Sequence, residues 1–206
     1  MKYFSFLIIS LFLSSCSKDE VYEPHHLKNG QEVELLVDHR YESDDEQLLI
    51  LPKNQASSLS LHGFPERKPG YVYHVKAKFN VTADLIQDAP DRWFNVTKII
   101  SEEKYQGNET FGVSLIKSIV PGGPVIYLTK KDGQYQYIQD KLELTPKSQI
   151  VKDQLEEIWL NAKEIRDSWS TREKKELKWK LIKATVTHDP DKFGKAYLVE
   201  RIEFIK

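Results

Sequence analysis

The chain has 206 residues, 30 of them Lys or Arg and 31 Asp or Glu, giving a formal net charge of −1. That balance excludes bulk electrostatic capture of nucleic acid or of an anionic lipid surface. A single cysteine excludes an intramolecular disulfide, so stability has to come from apolar burial, and the length suits one or two small domains.

The first element is a leader. Lys2 precedes the apolar run from Phe4 to Leu13, and the small residues Ser14 and Ser15 precede Cys16. A basic start, about ten apolar residues and small residues before a cut site make a secretory signal too short to span a bilayer. Leu13-Ser14-Ser15-Cys16 resembles the signal of bacterial lipoproteins. The resemblance implies that residues 1–15 are removed, that Cys16 is lipidated, and that the membrane is a partner through this anchor. Each buried methylene adds about 0.8 kcal/mol, so two or three acyl chains hold durably where one does not. Residues 16–30 are polar and read as a flexible tether. Within them Ser17-Lys18-Asp19-Glu20 resembles the export signal of surface lipoproteins in Bacteroidota. The expected address is the outer membrane, on its outer surface, with the periplasmic face as the alternative.

Residues 31–105 carry short strand signals. Val33, Leu35 and Val37 alternate with polar neighbours, Gln47–Leu51 is a brief apolar run ended by Pro52, and Leu59 and Leu61 alternate with serines. The clearest strand is 71–81, with Tyr71, Tyr73, Val75, Ala77, Phe79 and Val81 on one face. Another spans Trp93–Ile100, and Gly107-Asn108 marks a boundary near 102–110. The opening strand VELLVDH, the centre LHGFPERKPGYVYHVKAKF and the end DAPDRWFNVTKIIS resemble the bacterial domain-of-unknown-function family 4377 over residues 32–101. That resemblance implies an exported or lipid-anchored, β-rich domain and assigns no catalytic residues. Many members carry two cysteines in the first half of the domain; this chain has none there, so no disulfide carries over. Gly63 and Gly70 suit turns on either side of the central strand.

Residues 111–206 form a second β-rich unit with one helix. Val113–Val120 reads as a strand, and Val125–Thr129 with Gln134–Ile138 as a hairpin across Asp132-Gly133. Thr145 as cap and Pro146 at the first helical position open a helix whose apolar face carries Val151, Leu155, Ile158, Trp159, Ala162, Ile165 and Trp169. Strands near Leu177–His188 and Ala196–Ile205 finish the chain.

Two segments of the second unit repeat the first. Val75–Phe79 matches Ile182–Val186, and Phe94–Ile99 matches Tyr197–Ile202; in this second pair Phe94, Val96 and Ile99, like Tyr197, Val199 and Ile202, are spaced two and then three apart. A β-bulge makes that change of face. The expected class is α+β, mainly β. It comprises two small antiparallel five-stranded barrels or sheets of OB-fold type, the second with an amphipathic helix between its third and fourth strands. An open sheet packed on one helix is the competing arrangement.

The chain has no phosphate-binding glycine loop, no G-x-S-x-G elbow and no H-E-x-x-H helix. No cofactor is therefore expected, and a lipidated Cys16 leaves no thiol nucleophile. His25 and His26 lie on the tether; His39, His62 and His74 sit on or beside strands that could be neighbours. Asp189, Asp191 and Glu200 fall at positions 1, 3 and 12 of a calcium loop, but Phe193 stands where an oxygen is needed and the flanks read as strands. Arg172, Lys174, Lys175, Lys178, Lys180 and Lys183 surround Trp179, yet Glu173 and Glu176 interrupt them, and nucleic acid is not an expected partner. The expected function is a non-enzymatic, membrane-anchored envelope module binding a protein, peptide or glycan. The alternatives are an envelope hydrolase or metal-dependent enzyme assembled only in the fold, and an architectural lipoprotein.

Overall fold

The computed structural model describes residues 20–82, 91–119, 121–138, 141–170 and 173–206. The leader, Cys16 and Arg172 lie outside them. Among the described residues the fold is mainly β, with 49% in strands, 11% helical and one helix. Strands β1 (Val21–Tyr22) and β2 (Leu27–Lys28) form a small antiparallel hairpin. Next come β3 (Glu32–Val37), β4 (Leu48–Ile50), β5 (Gln55–Ser57), β6 (Ser60–His62), β7 (Tyr71–Val81) and β8 (Arg92–Lys104). They build a six-stranded sheet in the order β5-β4-β3-β7-β8-β6.

The second half continues with β9 (Phe111–Ser114), β10 (Ile116–Ile119), β11 (Gly123–Ile126), β12 (Leu128–Lys131), β13 (Gln134–Tyr137), β14 (Leu142–Pro146), α1 (Gln149–Ser168), β15 (Leu181–His188) and β16 (Ala196–Ile205). Its six-stranded sheet runs β12-β13-β14-β16-β15-β9, with β10 and β11 paired beside it. One of the two large sheets curls into a half-barrel. The β5 and β6 edges of the first sheet are joined by Ser58 and Leu59 alone, a link too short for a flat six-stranded sheet.

Two antiparallel five-stranded barrels are not what forms. Each large sheet has six strands and is mixed, because β6 pairs parallel with β8 and β14 pairs parallel with β16. Hydrophobic alternation marks a strand but not its neighbour. A crossover, the loop 63–70 in one half and α1 in the other, returns the chain so that the far strand of the next hairpin lies parallel to the strand before it. The helix consequently follows the sixth strand of its half.

The repeat holds in three dimensions. The ladder between β7 and β8 passes from Lys76↔Lys98 to Ala77↔Val96 and skips Thr97; that between β15 and β16 passes from Thr185↔Arg201 to Val186↔Val199 and skips Glu200. Thr97 and Glu200 are equivalent in the aligned segments. Phe94 and Tyr197, also equivalent, each face a leucine on the parallel neighbour, Leu61 and Leu144.

Each half has its own apolar core. Leu35, Val37, Tyr73, Val75, Phe79 and Phe94 form the first; Leu115, Leu128, Tyr137, Leu144, Leu155 and Tyr197 are among the second. The buried helix face is Val151, Leu155, Ile158 and Ala162. Its cap is Ser148, whose side chain accepts from Val151 N, not Thr145. Thr145 and Pro146 are held back by the parallel ladder with Leu198 and Val199. Trp169 is the C-cap and 69% exposed, so it leaves the core face assigned to it. Residues 20–30, expected as part of a flexible tether, are docked: Leu27 is buried, Tyr22 packs on Phe79, and Gly30 N donates to Phe79 O at 2.8 Å. Two apolar side chains in a polar stretch suffice to dock it. Among the described residues no helix is long and apolar enough to cross a membrane.

The halves meet along the segment that leaves β3. Asp44 N donates to Gly112 O and its Oδ1 accepts from Ser114 N, both at 2.9 Å, so Asp44 binds the outer edge of β9. Lys117 Nζ reaches Glu42 at 2.7 Å, and the buried Tyr197 hydroxyl donates to Tyr41 O at 2.7 Å.

Candidate functional site

Beside that segment the seam closes on two histidines. His39, next after Asp38 at the end of β3, places Nδ1 2.8 Å from Nε2 of His188, the last residue of β15. His39 Nε2 lies 3.3 Å from Glu109 and 3.5 Å from Asp38. Tyr105 stacks on the His39 ring at 3.6 Å and 7° and donates its hydroxyl to Glu109. Phe111, Phe193 and Tyr197 surround His188 at 5.3–5.6 Å between ring centres.

The partners fix the tautomers. Glu109 accepts from His39 Nε2–H, which leaves Nδ1 of a neutral ring as an acceptor, so His188 Nε2–H donates to it. His188 Nδ1 is then a bare lone pair, buried and without a partner among the described residues. A proton there would have no acceptor. Burial first, then the neighbouring His39 charge, pushes His188 down to about 4 against the pull of Glu109 and Asp38. Burial also lowers His39, although Asp38 and Glu109 oppose it. For Asp38, burial alone would raise the carboxyl, but bonds from the Arg40 side chain and backbone outweigh it and hold it below its ordinary value. The Tyr105 hydroxyl holds the Glu109 carboxyl low.

Gly70 ties the seam together. Its N–H donates to His39 O at 2.8 Å and its carbonyl accepts from Tyr105 N at 2.9 Å. At φ +82° a Cβ would stand 2.7 Å from the Phe193 ring and 3.2 Å from His188 Nδ1. This residue needs glycine both for its left-handed backbone and for the close approach.

Next to the seam opens a cleft of about 700 Å³. One wall is residues 57–65, from the end of β5 through β6 into the following loop, offering Ser57, Ser58 and Ser60; Lys141 comes from the second half. The other wall is Tyr41, Glu42, Glu46 and Arg67. Arg67 is 7% exposed in its side chain, bonds Glu46 at 2.6 Å and Asp38 O at 2.9 Å, and lies 4.8 Å over the Tyr41 ring. The cleft combines hydroxyls, a paired guanidinium and carboxylate, and an apolar floor at Leu48 and Phe64. Such a lining orients a polar ligand by hydrogen bonds while holding it by contact area. His39 and His188 are not among its lining residues.

The histidines and acids singled out in the sequence are engaged with other partners, and Cys16 lies outside the described residues. His39, His62 and His74 stay apart, since His74 bonds Glu34 at 2.8 Å and His62 packs near Trp93. Asp189 is buried and its Oδ1 accepts from Asp191 N and Lys192 N, which makes a tight turn. Glu200 is engaged by Lys147 at 2.6 Å. Among the described residues no three His, Cys, Asp or Glu converge as metal ligands. Trp179 is buried on Phe204, so it offers no stacking face. The His39–His188 contact went unread because 149 residues separate the partners and nothing local encodes how two sheets abut. No family model, curated protein or solved structure matches the chain.

Proposed function

We propose that this chain is a lipid-anchored binding module of the cell envelope, held through Cys16, whose cleft beside the seam takes a protein, peptide or glycan partner. The cleft carries the reading: residues 57–65 face Tyr41, Glu42, Glu46 and Arg67 across it, with Lys141 of the second half at its border, and its hydroxyls and the ion pair of buried Arg67 with Glu46 are placed before any ligand arrives. The resemblance of residues 32–101 to domain-of-unknown-function family 4377 fits an exported β-rich domain. The OB-like reading of the first half draws support from β5 and β6, which follow one another closely enough to act as one bent strand. A photocrosslinking amino acid at Ser58 or Ser60, in the full chain on intact cells, should give a discrete adduct that the same group at exposed Lys163 does not. Equal adduct patterns from both faces would count against the cleft. Mass spectrometry finding an unmodified Cys16 would remove the anchor.

One observation favours an enzyme instead: two histidines meet beside Asp38 and Glu109. Hydrolysis of envelope glycan or ester substrates that disappears with His39→Gln, while the fold persists, would establish that reading.

A further inference from the structure

The C-terminal turns of α1 face β11 and β12 across a second groove, of about 220 Å³, in the other half of the molecule. Ile126, Leu128, Ala162, Ile165 and Leu177 make its walls. Ile119, 42% exposed, and Trp169, 69% exposed, stand at its rim, so apolar surface faces water there without cover from the described residues. Among the described residues, no carboxylate lines the groove, and Arg166 supplies its only formal charge.

Arg166 differs from its counterparts. Arg40, Arg67, Arg92 and Arg201 each hold a carboxylate within 2.6–3.1 Å. Arg166 holds none among the described residues; its Nη1 donates to Leu128 O at 3.5 Å, the outer limit of a hydrogen bond. Its place in the last turn of α1 suits the helix dipole, but that does not require it to border an apolar groove. A guanidinium is a bidentate receptor for a carboxylate. The groove therefore presents one cationic fork and a narrow apolar channel.

We propose that this groove binds a single-chain aliphatic carboxylate, with the carboxylate on Arg166 and the chain along the partly exposed Val125, Ile165 and Leu177. The size sets the chain. A dry cavity of about 150 Å³ takes the six carbons of benzene, so 220 Å³ takes about nine on the same scale. Decanoate, with nine carbons beyond its carboxylate, is the matched probe. The indole of Trp169 gives an optical signal at the rim.

The test uses the full chain carrying Cys16→Ser, so that no acyl group of its own competes. Hexanoate, octanoate, decanoate and dodecanoate are titrated as monomers by calorimetry and tryptophan fluorescence. Affinity is expected to rise about fourfold per methylene up to decanoate and then level off. Arg166→Gln should weaken decanoate about tenfold, the effect of losing one charge-assisted bond, and leave decanol unchanged; Arg166→Lys should restore most of the loss. Val125→Trp, which fills the groove from its partly exposed wall, should abolish binding of both probes. The inference is overturned if decanoate does not bind, if Arg166→Gln weakens decanol and decanoate equally, or if the protein binds phosphatidylglycerol vesicles but no monomeric probe. A misfolded Val125→Trp leaves the Arg166 series to decide.

Discussion

Replacing His188 by glutamine should flatten the loss of stability in mild acid. The glutamine amide can still donate to His39 Nδ1, so the seam keeps its central bond while losing its titration. In the folded chain His188 sits at about 4, whereas an unfolded histidine titrates near 6.5. That interval corresponds to about 3.4 kcal/mol. Partial solvent contact at the rim of the seam reduces the expectation to about 2 kcal/mol. Above about 6.5 both states are neutral at this ring and the contribution is complete. As pH falls through 6.5 toward 4 the unfolded chain takes its proton first, and the contribution is lost. The neighbouring groups are His39, Asp38, Glu109 and Tyr105. His39 moves the same way and remains in the variant; the Asp38 carboxyl, held low, adds its own loss only at more acid pH. Urea unfolding at pH 7.5 and pH 4.5 should therefore show wild type losing about 2 kcal/mol more than His188→Gln. Equal losses in the two proteins would refute the reasoning, because His188 would then be solvated in the folded state.

Other perturbations test the packing. Gly70→Ala combines a left-handed backbone with a Cβ 2.7 Å from Phe193 and should destabilise by about 2–4 kcal/mol; a change under about 0.5 kcal/mol in urea melts would show that the seam yields readily. Tyr197→Phe removes the donor to Tyr41 O and should cost about 1–2 kcal/mol, as the buried carbonyl loses its partner. Ser148→Ala should cost about 1 kcal/mol and Thr145→Val much less, which separates the observed helix cap from the one read in the sequence.

Where a single face decides burial, the sequence was readable. The alternation over 71–81 became β7, and Ala196–Ile205 became β16, with the bounds expected. The broken spacing in β8 and β16 pointed to bulges, and the ladders skip Thr97 and Glu200 there. Asp132 and Gly133 form the two-residue turn between β12 and β13, both at positive φ. Pairing was less readable, because alternation is the same whether a neighbour runs parallel or antiparallel. Thr145-Pro146 carries a sound capping signal, and a tertiary ladder overrode it. Gly70 was legible as a turn; its second duty, admitting Phe193 and His188, depends on residues more than a hundred positions away. The cleft was illegible for a related reason, since Tyr41, Glu46, Arg67 and residues 57–65 converge only after the first sheet curls.

Asp44 carries a consequence for how the chain is made. Its backbone and carboxylate occupy Gly112 and Ser114 on the rim of the downstream sheet, a strand that would otherwise offer itself to any passing polypeptide. The amino-terminal half leaves the ribosome first and brings this stopper with it. Residues 111–206 synthesised alone should prove sticky and prone to misassembly, whereas in the intact chain the earlier half acts as a built-in chaperone for the later one.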